Sequence, residues 1–144
     1  MKVDESPIQL SYSYSASVGQ LWEALTNHDQ MIKWFFSNIP EFKAKKGFET
    51  SFPVKSEHRS FLHIWTVESV QKNELMRMRW RYEEYEGDAT VTFLVSGTDT
   101  MAYLTLRMDI LKDFVADIPE FTRESCEAGW NYFLNEELRD HLEG

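Results

Sequence analysis

The fold of this chain is decided by one late segment, DIPEFTRESCEAGWNYFLNEELRDHL, residues 117–142. Apolar side chains recur at every fourth position of its second half, with polar residues between them; the apolar stripe is Trp130, Leu134, Leu138 and Leu142. This spacing predicts an amphipathic helix, roughly 35 Å long. Asp117 is the expected N-cap, because Glu120 three residues later would complete a capping box.

The rest of the chain has mostly the alternating pattern of β-strands. The strand Ile8–Tyr14 comes first, followed by two short helices with Ser17 and Asn27 as their capping residues. The alternating segments after them are residues 48–54, 61–70, 75–82, 89–95 and 101–110. The predicted order is one strand, two short helices, about six antiparallel strands and one long helix, since short turns favour antiparallel pairing. We expect an α+β fold in a single domain, residues 1–144.

The composition is acidic: 15 Lys and Arg residues stand against 24 Asp and Glu residues, a formal net charge of −9. Phosphate-rich partners need clustered positive charge, so we expect no nucleic-acid binding and no affinity for anionic membrane surfaces. No segment reaches the roughly 18 apolar residues of a membrane span, and the first residues lack the apolar run of a signal peptide. The single cysteine, Cys126, cannot form an intramolecular disulfide. These features predict a cytoplasmic protein.

The histidines are scattered, without a Cys cluster or a His-x-x-x-His pair; they are His28, His58, His63 and His141. We therefore expect no metal site and no cofactor. His63 lies between Phe61 and Trp65 on one face of a predicted strand. If that face turns inward, His63 would be a polar group among aromatic rings, able to orient a ligand or transfer a proton. Otherwise it faces solvent or is hydrogen-bonded in the core.

Nucleophilic catalysis has little support. Cys126 lies beside Glu124 and Glu127, and nearby carboxylates raise the pKa of a thiol. No serine stands in a Gly-x-Ser-x-Gly setting.

Positive charge is concentrated on one predicted strand, where Arg77, Arg79 and Arg81 alternate with apolar residues. The apolar set is the natural inward one. We therefore expect the arginines to face outward and to pair with acidic groups on neighbouring strands or in the turn 83–88.

Three stretches together resemble the START-like, helix-grip superfamily, also called SRPBCC. Within it they are most similar to the branch related to the activator of the heat-shock-chaperone ATPase. The stretches are LWEALTNHDQMIKWF at 21–35, LMRMRW at 75–80 with VTF at 91–93, and Gly129-Trp130 with Leu134 and Leu142-Glu143. At one position the chain departs from the branch pattern: Glu137 stands where leucine is usual, and Leu138 comes one residue later. One residue is a rotation of about 100° around a helix, so we do not extend the branch's contacts beyond Leu134.

The resemblance implies a helix-grip fold, in which a curved antiparallel sheet wraps around the long C-terminal helix and leaves an apolar cavity between them. The residues expected to line this cavity are Trp34, His63, Trp65, Met78, Trp80, Phe93, Leu104, Trp130 and Phe133. For Met78, Trp80, Phe93 and Leu104, ordinary core packing is an equally good interpretation. Trp34 and Phe35, at the end of the second short helix, would form a lid over the cavity mouth.

Members of the superfamily bind lipids, hormones or polyketide intermediates, a few catalyse aromatisation, and the named branch includes chaperone co-activators. The leading hypothesis is non-catalytic binding of a small apolar or amphipathic molecule, with His63 as a polar anchor. A second hypothesis is binding to a chaperone through the acidic surface. A third is a cyclase-like or hydrolytic enzyme with His63 as general acid or base. The fold alone does not choose among them.

Overall fold

The computed structural model describes residues 1–144. Its strands are β1 (Ile8–Tyr14), β2 (Glu49–Ser56), β3 (Arg59–Gln71), β4 (Leu75–Tyr82), β5 (Asp88–Gly97) and β6 (Ala102–Lys112). Its helices are α1 (Val18–Thr26), α2 (His28–Trp34), α3 (Arg123–Asn131) and α4 (Leu138–Glu143), with a 3₁₀ turn at Pro119–Phe121 and a π-helical segment at Tyr132–Glu137. No helix of the structure combines the length and the apolar character that a membrane span requires.

The six strands form one curved antiparallel sheet in the order β1-β6-β5-β4-β3-β2. The chain crosses from one edge strand, β1, to the other, β2, through α1, α2 and the irregular segment 35–48. The predicted α+β helix-grip fold is confirmed. Five strands rather than about six follow the two short helices, and the segment between α2 and β2, from which Ile39 and Phe42 are buried, is irregular.

Both short helices begin where the capping residues predict. Ser17 Oγ accepts a hydrogen bond from Gln20 N at 3.0 Å, and Gln20 Oε1 accepts one from Ser17 N at 2.8 Å, which is a complete capping box. Asn27 Oδ1 accepts from Gln30 N at the start of α2. Local hydrogen bonding therefore fixes the residue at which α2 begins. The residues just past its end, Phe35 and Phe36, lie between the sheet and the C-terminal helix.

A β-bulge changes one face assignment in β3. Val67 pairs with Met78 and Ser69 pairs with Arg77, so Glu68 is an extra residue in the ladder. An extra residue reverses the parity of every side chain that follows it. Val70 therefore packs against the core, whereas strict alternation placed it on the face opposite to Val67.

The long helix does not begin at Asp117, and that prediction is wrong. Thr122 is the N-cap of α3: its Oγ1 accepts a hydrogen bond from Ser125 N at 3.2 Å. The preceding 3₁₀ turn points Phe121 into the core, where its ring lies 5.4 Å from Phe61 and 5.1 Å from Tyr82. Burial of Phe121 against the sheet requires the chain to turn before the helix starts, and Asp117 lies outside that turn.

From Arg123 to Glu143 the helix is continuous over 21 residues and includes the π-helical segment. There, the Leu138 N–H bonds to Phe133 O, five residues back instead of four. A π-turn holds one more residue than an α-turn, and this absorbs the one-residue offset in the sequence. Leu134 and Leu138 are consequently both fully buried, and the contacts of the helix with the sheet do continue beyond Leu134.

The π-helical segment is held from the sheet by Tyr14, whose hydroxyl donates a hydrogen bond to Leu134 O at 2.8 Å. Tyr14→Phe would leave a buried carbonyl without this donor, so we expect it to lower the free energy of unfolding by about 1–3 kcal/mol. Tyr12→Phe is the matched control: its hydroxyl donates to Asn131 Oδ1 at the exposed surface, and we expect a loss below about 0.5 kcal/mol. Urea unfolding measures both; equal losses would contradict the role given to Tyr14.

Candidate functional site

An apolar cavity of about 130 Å³ lies between the concave face of the sheet and the C-terminal helix. Ten of its thirteen lining residues are hydrophobic, which makes the cavity suitable for an apolar ligand. The lining consists of His63, Trp80, Tyr82 and Met108 from the sheet, Cys126, Gly129, Trp130 and Phe133 from the helix, and Met1, Phe35, Phe36, Glu120 and Phe121 from the segments between them. The lining reaches the surface, because Gly129 is exposed and Glu120 is part-exposed.

The structure brings four of the nine predicted cavity residues together around this space: His63, Trp80, Trp130 and Phe133. The other five are buried in the core and do not line the cavity: Trp34, Trp65, Met78, Phe93 and Leu104. All six of the predicted residues from the sheet are buried against its concave face, but that face is wider than the cavity. The indole N–H of Trp65 is buried there without a hydrogen-bond partner.

Phe35 and Phe36 fill the part of the concave face that the cavity does not reach. The Phe35 ring stacks on Trp34 at 4.7 Å and lies edge to face with Phe133 at 4.9 Å. The Phe36 ring lies 5.1 Å from His63 and 5.0 Å from Phe133. Both rings therefore bridge the sheet and the C-terminal helix, and they limit the cavity to about the size of one ring.

Trp34 does not form the predicted lid. Its side chain is 1% exposed, and its Nε1 donates a hydrogen bond to Ala24 O at 2.7 Å, which fixes α2 to α1. The residues that reach the cavity are Phe35 and Phe36, just past the end of α2. Phe36 is not among the residues predicted from the sequence, although three consecutive aromatic residues are more than one helix face can bury.

His63 is the polar group held among the aromatic walls, 5% exposed. Its ring stacks on Phe52 at 5.2 Å and lies edge to face with Tyr82 at 4.8 Å. Its Nδ1 lies 3.1 Å from Phe61 O. A carbonyl oxygen can only accept, so the proton of the neutral ring is on Nδ1 and Nε2 carries a lone pair. Burial lowers the pKa of His63 to about 4, against the opposing effects of the Phe61 hydrogen bond and the Glu84 charge.

Tyr82 is the second polar group in the lining. Its Oη accepts a hydrogen bond from Trp80 Nε1 at 3.0 Å, and its own hydroxyl proton has no acceptor within the protein. Burial raises the pKa of Tyr82, so the hydroxyl stays protonated and remains a donor at neutral pH.

The thiol of Cys126 is not activated. Burial, together with the charge of Glu127, raises its pKa to about 12. Its Sγ lies 3.6 Å from Met108 Sδ. The expected direction is confirmed, but burial is a larger cause than the neighbouring carboxylates.

The arginine row faces outward, as predicted. Arg77 Nε lies 3.2 Å from Glu68 Oε1, and Arg79 forms a two-point ion pair with Asp88 across the β4–β5 ladder. The guanidinium groups therefore take no part in the cavity. No group of three or more His, Cys, Asp or Glu side chains is placed to hold a metal ion.

The sequence comparison identifies a family. Residues 15–143 match the sequence profile of the family described as activator of Hsp90 ATPase homolog 1-like protein. A search of curated protein sequences gives no significant match.

Similar structures cover nearly the whole chain. A protein from Chromobacterium violaceum has a TM-score of 0.80 at 18% identity, over 96% of this chain and 97% of that one. DynU16, from the dynemicin biosynthetic locus, has a TM-score of 0.75 at 19% identity, over 96% of this chain and 48% of its own. The solution structure of the Aha1 dimer from Colwellia psychrerythraea has a TM-score of 0.68 at 18% identity, over 96% and 97%. At these identities the likeness concerns the fold alone.

Proposed function

This chain belongs to the activator of Hsp90 ATPase homolog 1-like family, and we propose that it binds a small apolar or amphipathic molecule between its sheet and its C-terminal helix. The observation that carries the proposal is the cavity itself, in which aromatic walls from both layers surround a space that reaches the surface. Well-formed apolar pockets with a few polar groups are the usual sites of small-molecule binding.

The volume limits the size of the ligand. Typical ligand pockets measure roughly 300–1,000 Å³, and this cavity, at about 130 Å³, is smaller. An apolar cavity of about 150 Å³ is large enough to hold benzene. We therefore propose that the cavity accepts a ligand with a single aromatic ring. A longer ligand would have to displace Phe35 or Phe36.

The protonation states support binding more than catalysis. At neutral pH a histidine with a pKa of about 4 is unprotonated at Nε2, so it is no general acid there and is only a weak base. A thiol with a pKa of about 12 is not a nucleophile. His63 does face the cavity, as an enzymatic role would require, but its chemistry there is that of a hydrogen-bond acceptor.

A cavity-filling substitution tests the siting. Cys126→Leu adds apolar atoms to the lining, so we expect toluene affinity to fall by a factor of about ten or more, with stability changed by less than about 1 kcal/mol. Ala128→Leu is the matched control, because Ala128 is exposed on the same helix and does not line the cavity. Calorimetric titration with toluene measures both. Equal toluene affinity in Cys126→Leu and the parent would place the binding site elsewhere.

Binding to a chaperone is a second candidate, favoured by the family and by the acidic solvent side of the C-terminal helix, where Glu124, Glu136 and Asp140 are exposed. Such a contact depends on charge and weakens with salt. The test is the ATPase rate of purified Hsp90 titrated with this protein. A rate increase that salt suppresses supports the candidate; an unchanged rate at low ionic strength, with no complex formed, removes it.

A further inference from the structure

Two polar side chains of the cavity form a matched pair on adjacent strands, and a third, Glu120, is paired with Arg59 at 3.2 Å. His63 of β3 and Tyr82 of β4 are register partners in the sheet, and their rings lie 4.8 Å apart. The His63 Nδ1–H is used by Phe61 O, which leaves Nε2 as an acceptor without a partner in the protein. The Tyr82 oxygen is used by Trp80 Nε1, which leaves its O–H as a donor without a partner.

An acceptor and a donor on one wall are complementary to a hydroxyl group, which can donate to the first and accept from the second. A carboxylate has no proton for Nε2, and a methyl group uses neither atom. The walls around this pair are aromatic, since Trp80, Trp130 and Phe133 line the same cavity. The remaining space, about 130 Å³, corresponds to a single ring.

We infer that the cavity selects small phenols, with the ring between the aromatic walls and the hydroxyl against His63 Nε2 and the Tyr82 hydroxyl. This inference rests on the proposed function, and it adds to it the chemical class of the ligand. It makes His63 and Tyr82 residues that determine specificity.

A comparison of phenol with toluene distinguishes this site from a purely apolar one. Transfer of a hydroxyl group into a cavity without polar partners costs about 1–3 kcal/mol, so an apolar cavity binds toluene more tightly than phenol. A cavity built to hydrogen-bond a hydroxyl reverses this order, because its own polar groups are left unpaired by the methyl analogue. The order of the two affinities is therefore diagnostic.

The experiment is calorimetric titration of the full chain with phenol, toluene and benzoate at neutral pH. We expect phenol to bind at least as tightly as toluene, and benzoate to bind more weakly than phenol. In His63→Phe, which keeps a flat ring against Phe52, we expect the ratio of phenol affinity to toluene affinity to fall by about tenfold or more. Tyr82→Phe is the second variant and is expected to act in the same direction.

Retained toluene binding in each variant also establishes that the cavity is intact. Tighter binding of toluene than of phenol by the parent chain, tighter binding of benzoate than of phenol, or phenol affinity unchanged in both variants would overturn the inference and leave the proposed function standing. If none of the three compounds binds the parent chain, the proposed function fails and the inference fails with it.

Discussion

Acidification from about pH 6.5 to about pH 4 is expected to lower the free energy of unfolding by about 3 kcal/mol through His63 alone. The pKa of His63 is lowered from its ordinary 6.5 to about 4 in the folded protein, mainly by burial. In this interval the unfolded chain binds a proton that the folded protein does not, so stability falls as the pH falls. Above about pH 6.5 His63 does not lower the free energy of unfolding, and below about pH 4 the loss caused by His63 has reached its full size.

Urea unfolding across this pH range measures the effect. In His63→Phe we expect the pH dependence to lose most of its slope, because the titrating group is gone. His141→Gln is the control. Burial and the charge of Lys33 also lower the pKa of His141, but His141 is part-exposed. We therefore expect the His141→Gln protein to keep most of the loss of stability that the parent shows on acidification. Identical profiles in His63→Phe and the parent would show that His63 is not buried as a neutral ring.

Truncation of Phe36 is expected to have the second large effect. Phe36 packs between His63 and Phe133 at the boundary of the cavity, so Phe36→Ala should remove about 2–4 kcal/mol of stability. The vacated volume adjoins the cavity. We therefore expect the variant to bind indole or naphthalene, for which the cavity of the parent protein is too small.

The matched control is Phe48→Ala, since Phe48 is also part-buried, packs against Phe42 and does not line the cavity. It should cost stability without any gain in binding of the larger compounds. Calorimetric titrations and unfolding curves on the three proteins separate the two effects. A Phe36→Ala protein that is folded but binds naphthalene no better than the parent would contradict the account of Phe36 as the residue that limits the cavity.

The fold could be predicted from the sequence where spacing alone carries the information. The alternation in Ile8–Tyr14 and Leu75–Tyr82 corresponds to β1 and β4 residue for residue, since burial on one face of a sheet repeats with a fixed period of two. The helix caps at Ser17 and Asn27 could be predicted equally well, because a capping hydrogen bond involves only residues that are close in the sequence.

The deviations arise where tertiary packing alters the period. Glu68 forms a bulge that no local pattern marks, and Val70 changes face because of it. In the helix, the every-fourth spacing would drift around an ideal α-helix by about 40° per step. The π-helical segment corrects this drift and brings Leu138 onto the sheet-facing side. The spacing of the leucines predicted which side chains face the sheet. The same spacing is also compatible with a regular α-helix whose apolar side rotates gradually away from the sheet.

The site was less predictable than the fold. Alternation put His63 and Trp80 each on one face of a predicted strand, but the sequence left open whether the face with His63 turns inward; in the structure both line the cavity. Phe36 lies outside any regular element, so neither period applies to it. The roles inferred for His63 and Tyr82 depend on the hydrogen bonds that Phe61 and Trp80 make with them, and composition and spacing do not contain that information.

A crystal structure of the protein saturated with toluene would show whether the space between sheet and helix takes a small apolar molecule. We expect electron density for one ring in contact with Trp80, Trp130 and Phe133, with the sheet and helix unchanged around it. An empty cavity at saturating toluene, or a toluene bound only elsewhere on the surface, would contradict this expectation.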